Sequence, residues 1–303
     1  MYSYIKTVPD STGYAGRIVV VPDVHQDLDK AKRCLLLASV IDRAGNWVGA
    51  STVVVQMGDQ IDGANRGHRL VPRTHVCHAD LARDVEVLTF FNDLHSKATR
   101  QGGAVYSLIG NHELMNVMGS FDYADTYGCG ECERKRREAF APGGPVAMLL
   151  GTTRVVCLKI GRIVFVHAGI LPFHARAMDL RALNKTMTDT FLGNPVRPAD
   201  EKMFQRMCVD YDGILTNRFF MPGMHASEQD TRAALKMLDA DHMVIGHNAH
   251  AGGVTALHGG LVYVCDPGIS KSVLNSSPKV LEISQRRESY RPEFSVLAES
   301  GRT

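Results

Sequence analysis

The sequence lacks the features that mark membrane, secreted and repeat proteins. Its longest apolar run of note, residues 34–41, is far shorter than the roughly 20 residues that a membrane-spanning helix needs. The first ten residues contain no apolar stretch, so we expect no signal peptide. No fixed-period repeat and no low-complexity tract occurs along the chain. We therefore expect neither a membrane association nor a solenoid architecture.

The chain also lacks a strong charge of either sign. Lys and Arg total 34 against 32 Asp and Glu, a formal net charge of +2. Because that balance is unlike the basic surface of a nucleic-acid-binding protein, we expect no nucleic-acid partner. The seven cysteines are an odd number, scattered through a large chain. Free thiols in a reducing compartment explain them most simply, which predicts a cytoplasmic protein.

What the chain has is enough apolar material for a large core. It contains 303 residues, of which 45% are hydrophobic and 22% charged. A chain this apolar can offset its conformational entropy by burial, so disorder is excluded. No linker separates independent halves, and we therefore predict a single domain over residues 1–303.

Strand, loop and helix alternate along the first part of the chain, and hairpins follow. Strands are predicted at 17–21, 52–57, 104–109, 155–160, 162–166, 242–245, 261–264 and 279–283. Helices are predicted over 27–44, with Asp27 as the N-cap, and over 74–100. Gly161 separates two β-rich runs, which indicates a hairpin. The pattern favours a mixed sheet system with helical insertions at about 120–150 and 174–229.

Polar clusters follow five of the predicted strands, at the point where each strand ends. They read PDVHQ at 22–26, GDQID at 58–62, GNHE at 110–113, HAG at 167–169 and GHN at 246–248. Ligands of α/β sheets bind outside the carboxyl ends of the strands, so clusters that are distant in sequence can converge there.

These clusters supply a coherent set of metal ligands. The candidates are Asp23, His25, Asp59, Asn111, His167 and His247. Mixed oxygen and nitrogen donors suit manganese, iron or zinc, and the set lacks the thiolates of a structural zinc site. Two ions about 3.5–4 Å apart need a shared carboxylate, and Asp59 in the middle cluster is the natural bridge. One such residue alone is more often a buried or turn residue; the coincidence at five strand ends carries the hypothesis.

The order of these motifs resembles the calcineurin-like metallophosphoesterases, specifically their phosphoprotein phosphatase branch. Longer stretches are similar to the Shewanella-like protein phosphatases. They are YSLIGNHELMNVMGSFDYAD at 106–125, RREAFAPGGP at 136–145, VFVHAGILP at 164–172 and VIGHNAHAGGVTALHGGLVYVCDPGIS at 244–270. The similarity spans about residues 17 to 285. It implies a four-layer α/β/β/α sandwich of two mixed sheets, with a helical cap insertion and a two-metal centre between the sheets.

The resemblance also implies roles for individual residues. It gives two ligands to a first metal, one bridging ligand, and three ligands to a second metal: Asp23 and His25, then Asp59, then Asn111, His167 and His247. The cofactor is two divalent ions, with manganese expected ahead of iron or zinc. A metal-bridging hydroxide would be the nucleophile. His112 would be the general acid that protonates the leaving oxygen, and Asp62 would hold its imidazole.

The sequence departs from the family pattern around the phosphate. The second motif usually continues Asp-Arg-Gly, whereas Asp62 is followed by GANRG, which displaces the arginine to Arg66. A later segment offers Arg218, although the tryptophan that usually precedes this arginine is absent. Either guanidinium could hold phosphate oxygens, and either could be a surface charge. In the first motif, Pro22 and Gln26 occupy positions that are usually glycine.

Three other features are interpreted as structural. Cys129 and Cys132 form a C-x-x-C without a second pair, which predicts a turn with two thiols. His250 lies three residues after His247, not at the spacing of an extra metal ligand. The basic run 134–137 alternates with glutamates, which is typical of a solvated helix face.

We therefore predict a metal-dependent phosphomonoester hydrolase, first of all a protein phosphatase acting on phosphoserine, phosphothreonine or phosphotyrosine. The alternative is a hydrolase of dinucleoside polyphosphates or other small phosphoesters, which would use an aromatic-lined pocket instead of an open groove. A non-catalytic phosphate-binding scaffold is the third hypothesis, and the intact His112 and Asp62 count against it.

Overall fold

The chain folds into two mixed β-sheets flanked by helices, in a computed structural model that describes residues 9–13, 16–63, 78–126, 129–221, 223–224, 226–284 and 291–299. Twelve strands occur in these ranges: β1 Ser11–Thr12, β2 Arg17–Val21, β3 Val53–Gln56, β4 Ala104–Leu108, β5 Arg154–Val155, β6 Cys157–Ile160, β7 Ile163–Val166, β8 His242–Ile245, β9 Thr255–Leu257, β10 Val262–Val264, β11 Lys279–Ser284 and β12 Glu293–Ala298.

Nine α-helices lie in the same described ranges: α1 Leu28–Leu37, α2 His78–Thr99, α3 Asn111–Val117, α4 Gly130–Phe140, α5 Pro145–Thr153, α6 Pro172–Ala177, α7 Leu180–Leu192, α8 Pro198–Phe204 and α9 Glu228–Met237. A π-helical turn follows at Gln205–Val209, and a 3₁₀ turn lies at His258–Gly260. No helix of the described residues combines the length and apolarity that crossing a bilayer requires.

The two sheets have six strands each. The strand orders are β12-β11-β2-β3-β4-β5 and β1-β6-β7-β8-β10-β9. In the first sheet β2 to β5 pair in parallel, and β11 pairs antiparallel with β2 and β12. In the second, β7, β8 and β10 pair in parallel, while β6 and β7 form the antiparallel hairpin around Gly161. The predicted mixed sheets and the hairpin are confirmed.

Alternating side chains build the layers. In β2, Val19 and Val21 pack with residues of α1 and α2, whereas Ile18 and Val20 face the space between the sheets. In β7, Val164 and Val166 pack toward α5, α7 and α9, whereas Phe165 faces the other sheet. Because both faces of these strands are buried, they occur as continuous apolar runs in the sequence. The predicted order helix, sheet, sheet, helix is confirmed.

The predicted strand at 155–160 is in fact two strands in different sheets. Arg154–Val155 pairs with β4, and Cys157–Ile160 pairs with β7. The chain crosses over at Val156, where the backbone N–H groups of Val156 and Cys157 donate to Asn184 Oδ1 at 2.9 and 3.2 Å. A buried amide from α7 therefore replaces the ladder hydrogen bonds that a continuous strand would make.

The first predicted helix is shorter than expected. Asp27 caps α1 as predicted, with its side chain accepting from the N–H of Lys30. The helix ends at Leu37, because Ser39 takes a left-handed φ of +53°. Ile41 then pairs with Trp47 in an isolated antiparallel bridge, so residues 38–44 of the predicted range 27–44 are not helical.

The cysteines differ partly from expectation. Five are free thiols: Cys34, Cys129, Cys157, Cys208 and Cys265. Cys132 is disulfide-bonded, so the prediction of a turn with two thiols is wrong for this residue. The sulfur of Cys129 instead acts as the N-cap of α4, accepting from the N–H of Cys132 at 3.3 Å.

Candidate metal centre

The predicted clusters meet at one edge of the two sheets. Strands β2, β3 and β4 run parallel, so the loops that follow them leave the first sheet at the same edge. Strands β7 and β8 are also parallel and bring their own following residues to the centre. His167, after β7, lies with its Nε2 3.3 Å from Asp59 Oδ2 and 3.2 Å from Asn111 Oδ1. The two sheets thus contribute to one cluster.

Asp59 lies at the middle of that cluster. Its Oδ2 is 3.7 Å from His25 Nε2, 3.8 Å from His112 Nε2 and 3.3 Å from His167 Nε2. Two groups of possible metal ligands share it: His25, Asp59 and His112, and Asp59, His167 and His247. In each group, the ligand atoms lie within 4.8 Å of one another. A carboxylate common to two adjacent groups is the arrangement that a pair of cations requires.

Backbone carbonyls fix the tautomers of the three histidines. A carbonyl oxygen only accepts, so the ring nitrogen facing it carries the proton and the other nitrogen keeps its lone pair for a cation. The pairs are His25 Nδ1 with Ile61 O at 3.2 Å, His167 Nδ1 with Met57 O at 2.7 Å, and His247 Nε2 with Thr216 O at 3.0 Å. His25 and His167 therefore present Nε2, and His247 presents Nδ1.

The electrostatics favour the metal-binding forms of Asp59 and His247. Burial alone would raise the pKa of Asp59, but the neighbouring His167 and His112 rings hold it well below its ordinary value. Burial, then His167 and Arg218, lowers the pKa of His247 well below its ordinary value. Asp59 is therefore a carboxylate and His247 a neutral imidazole.

Asp23 is the side chain most in need of a cation. It is buried, and its Oδ2 accepts the N–H of His247 at 3.0 Å. Its Oδ1 is buried without a hydrogen-bond partner among the described residues. Burial, then the carboxylates of Asp266 and Asp59, raises the pKa of Asp23 well above its ordinary value. A divalent cation would neutralise this concentration of negative charge, so the donor set fits a metal pair.

Asp266 was missed by the sequence reasoning. It is buried two residues after β10, and its carboxylate accepts the N–H of Gly268 at 2.9 Å. The signal was present, because the run VYVCDPG repeats the pattern of a strand that ends in an acidic turn.

Two motif glycines are required by close packing around the ligands. A Cβ on Gly110 would lie 2.1 Å from Asp59 Oδ1, and a Cβ on Gly246 would lie 2.4 Å from Asp23 Oδ1. No side chain fits at either distance. The glycines of GNHE and GHN therefore let the backbone approach the two carboxylates.

Backbone strain is concentrated at this edge of the sheets. Ten non-glycine residues of the described ranges have positive φ, and five of them lie here: His25, Gln26, Asp59, Asp62 and His247. Their φ values run from +42° to +62°. Such conformations cost energy and persist where the surroundings hold them, which is typical of functional sites. The positive φ of Gln26 also explains why glycine is usual at that position.

Glu113 organises the loop that carries Asp59. Its buried carboxylate accepts the backbone N–H groups of Asp59 at 3.0 Å, Gln60 at 2.7 Å and Gly110 at 2.8 Å. Burial, then the charge of Asp59, raises the pKa of Glu113, and the N–H donors oppose that rise. The last residue of GNHE therefore supports the centre without facing it.

His112 and Asp62 are paired as the sequence suggested. His112 Nδ1 lies 2.8 Å from Asp62 Oδ2, and its backbone N–H donates to Asp59 Oδ1 at 3.0 Å. Both side chains are buried. Because Nδ1 faces Asp62, Nε2 faces the centre, 3.8 Å from Asp59 Oδ2.

The prediction of a solvated basic helix face is wrong for Arg136. Arg134, Lys135 and Arg137 do form exposed pairs with glutamates one turn away. Arg136, by contrast, is only 1% exposed, and its Nη2 donates to Asp62 Oδ1 at 2.6 Å. It points inward because α4 buries one stripe of its surface, which includes Arg136 and Phe140.

The two predicted phosphate-binding arginines have different outcomes. Arg218 is brought to the centre, where Nη1 donates to the backbone carbonyl of His247 and, at 3.3 Å, to Asn248 Oδ1. Arg66 lies outside the described residues.

Both ring nitrogens of His250 contact protein atoms, with Nε2 2.7 Å from Thr255 Oγ1 and Nδ1 3.4 Å from Asp266 O, as expected of a structural residue.

Known proteins are similar in sequence and in fold. The family described as calcineurin-like phosphoesterase matches residues 16–251. The chain is 28% identical over 324 residues to "Shewanella-like protein phosphatase 2" of Arabidopsis thaliana, covering 90% of this chain and 76% of that protein. It is 22% identical over 247 residues to "Shewanella-like protein phosphatase 1" of Plasmodium berghei, covering 78% and 62%. Among solved structures, the cold-active protein-tyrosine phosphatase of a Shewanella species has a TM-score of 0.74 at 21% identity, covering 96% of this chain and 83% of that one.

Proposed function

The chain belongs to the calcineurin-like phosphoesterase family and is a metal-dependent phosphatase, and from this premise we propose that it hydrolyses phosphoproteins with two divalent ions. The observation that carries the proposal is the shared carboxylate. Asp59 belongs to both possible ligand groups, and His112 faces it from 3.8 Å with Asp62 behind. The similar proteins named protein phosphatases support a phosphoprotein as the substrate class.

In this proposal each ligand keeps the role inferred from the sequence. The first ion would be held by Asp23 and His25, and the second by Asn111, His167 and His247. Asp59, which both possible ligand groups share, would hold the two together. Manganese is the proposed pair, with iron and zinc as alternatives that elemental analysis distinguishes. Bound divalent ions would neutralise phosphoryl charge and make water a usable nucleophile at neutral pH.

The protein's own residues handle the proton and the phosphate. His112 donates from Nε2 to the leaving oxygen, and Asp62 on Nδ1 keeps the ring in the tautomer that allows it. Arg218 lies beside His247 and would hold phosphate oxygens that face away from the metals. Arg66 stays a second candidate from the sequence.

The acid assignment is tested by a change of leaving group. His112→Asn should retain both metals, because the ligands proposed above are unchanged. Its turnover should fall roughly 10²–10⁴-fold on a phosphoserine peptide, whose alkoxide needs a proton. The loss should be smaller on p-nitrophenyl phosphate, whose leaving group hardly needs one. Equal losses on both substrates would show that His112 is not the acid.

One observation favours the alternative substrate class. A cavity of about 360 Å³ is lined by Phe173, Phe219 and three other apolar residues, together with the charged Arg176 and Asp230. Phe219 directly follows Arg218 in the sequence. Aromatic walls suit a nucleotide base. Turnover of diadenosine tetraphosphate, compared with a panel of phosphopeptides, decides between them. A preference for the dinucleotide that Phe219→Ala abolishes would reject the phosphoprotein proposal.

A further inference from the structure

A buried cation that the proposed reaction does not use lies behind the His112–Asp62 pair. Arg136 extends from α4 and reaches three carboxylates. Nη2 lies 2.6 Å from Asp62 Oδ1, and Nη1 lies 3.1 Å from Asp80 Oδ2 and 2.7 Å from Asp84 Oδ2. All four side chains are at most 5% exposed. A charge this deep is costly unless its partners are fixed, so the arrangement is specific.

Arg136 holds the plane of the Asp62 carboxylate. Asp62 Oδ2 faces His112 Nδ1 at 2.8 Å and accepts from Asn116 Nδ2, also at 2.8 Å. Asp62 Oδ1 accepts from Arg136, whose Nε donates to Asn116 Oδ1 at 2.6 Å. The guanidinium therefore binds Asp62 both directly and through Asn116. Rotation of the carboxylate away from His112 would break these contacts.

A second layer anchors Arg136 itself. Asp80 and Asp84 lie one turn apart on α2, and the amide of Gln26 donates to both, at 2.8 and 2.6 Å. Asp84 also accepts the backbone N–H of Asp62 at 3.1 Å. Gln26 follows His25, so the network joins the first-motif loop, α2, α3 and α4. These hydrogen bonds help to offset the strain of Gln26 at a positive φ, where glycine is usual.

We propose that Arg136 is a positioning residue for the leaving-group proton: by holding Asp62 in place, it sets the tautomer and the direction of the His112 ring. This inference rests on the proposed role of His112 as the acid. Without the planar fork, Asn116 and His112 would be the remaining side-chain partners of Asp62 among the described residues, beside two further carboxylates. His112 would then lose the fixed acceptor on Nδ1 that directs its acidic N–H toward the centre.

The experiment compares leaving groups in the metal-loaded enzyme. Arg136→Lys keeps the charge but loses the fork that reaches Asp62, Asp80 and Asp84 together. Arg137→Lys is the matched control, because it makes the same change at the next position of α4, on the exposed face. We measure kcat for aryl and alkyl phosphates and plot its logarithm against the pKa of the leaving group. Metal content and thermal unfolding are recorded for each variant.

The expected result is a steeper dependence in Arg136→Lys. Turnover should fall at least tenfold more on the poorest leaving group than on p-nitrophenyl phosphate, with metal content unchanged and Arg137→Lys like the wild type. In ¹⁵N-histidine spectra, the His112 ring should change from one tautomer to a mixture. An equal loss on all substrates, or an unchanged His112 signal, would reduce Arg136 to a structural residue and overturn the proposal.

Two controls separate this inference from the proposed function. If His112→Asn steepens the dependence and Arg136→Lys does not, the acid stands and the positioning role is rejected. If neither variant steepens it, the acid assignment itself fails. Should Arg136→Lys not fold, Gln26→Gly takes its place, because glycine suits the φ of +62° and only the anchoring amide is lost. An unchanged slope in Gln26→Gly then overturns the proposal.

Discussion

Glu113→Gln should damage the metal centre although Glu113 faces away from it. In the native protein Glu113 Oε1 accepts the N–H of Gln60, and Oε2 accepts the N–H groups of Asp59 and Gly110. Glutamine keeps only one acceptor oxygen. Its NH₂ group must therefore face at least one backbone N–H that it cannot pair with, in a site with no exposure to water.

The size of the effect follows from the bonds that are lost. If the NH₂ group replaces Oε2, two hydrogen bonds to a charged group disappear, each contributing about 1.5–3 kcal/mol. The total of about 3–6 kcal/mol is a large part of the usual stability of a domain. Because Asp59 and Gly110 belong to the metal-bearing loops, part of this loss should appear in metal binding. About 3 kcal/mol there corresponds to roughly 10²-fold weaker affinity.

Metal affinity is measured by competition with a chelator, and stability by denaturant unfolding. Glu133→Gln is the control, because it is the same substitution on the exposed face of α4, where Glu133 pairs with Arg137. An affinity within threefold of wild type, together with unchanged stability, would refute this reasoning.

Three other predictions concern metal sharing, phosphate binding and pH. Asp59→Asn should lower occupancy of both metal sites, whereas His25→Ala should affect mainly the first; elemental analysis showing two full sites in Asp59→Asn would reject the bridge. Arg218→Lys should lower kcat/KM by a factor that corresponds to about 2–4 kcal/mol, with metal content unchanged. An unchanged kcat/KM would assign phosphate binding to Arg66 instead. Burial raises the pKa of Asp84 to about 7, although Arg136 opposes it, so the folded protein retains a proton that the unfolded chain releases. As the pH rises from about 4 to 7, the free energy of unfolding should therefore fall, by at most about 4 kcal/mol from this group. Asp84→Asn should flatten this dependence of stability on pH, and an equal dependence in both proteins would contradict the prediction.

The interior strands could be predicted from the sequence because both of their faces are buried. β2 has the predicted bounds, and β8 matches at 242–245. The strands that were not predicted, β1, β9 and β12, all lie at sheet edges and are mostly exposed or half-buried. An edge strand has no continuous apolar run, because one side of it faces water. Its sequence resembles that of a loop.

The residues that face the centre could also be predicted, because parallel strands deliver their following loops to one edge. The sequence did not show where some of the predicted strands and helices are interrupted. The crossover at Val156 depends on Asn184 from a helix that comes later in the chain. The end of α1 depends on the left-handed Ser39, inside an apolar run that favours helix. Neither depends on the local pattern of hydrophobic residues.

Arg136 shows where a local signal existed. Cys132, Arg136, Ala139 and Phe140 form the buried stripe of α4, at a spacing of four, three and one residues. A charged residue on such a stripe must meet an opposite charge when the helix packs, because an unpaired buried charge is too costly. Asp80 and Asp84 are one turn apart on α2 and equally buried. Each of these charged residues lies on the buried face of its own helix. The pattern therefore predicts that each has an oppositely charged partner on another element.

Which of these charged residues pair with one another depends on how the helices pack, and the sequence does not show it. α2 and α4 are separated by α3, which carries His112, and the three helices bring their buried charges together only at Asp62. Charges on apolar stripes of separate helices are therefore evidence for a shared internal site, even before the site is known. Here that site lies directly behind the residue proposed to move the proton. The same packing that buries Arg136 thus joins the stability of the helical layer to the geometry of the acid.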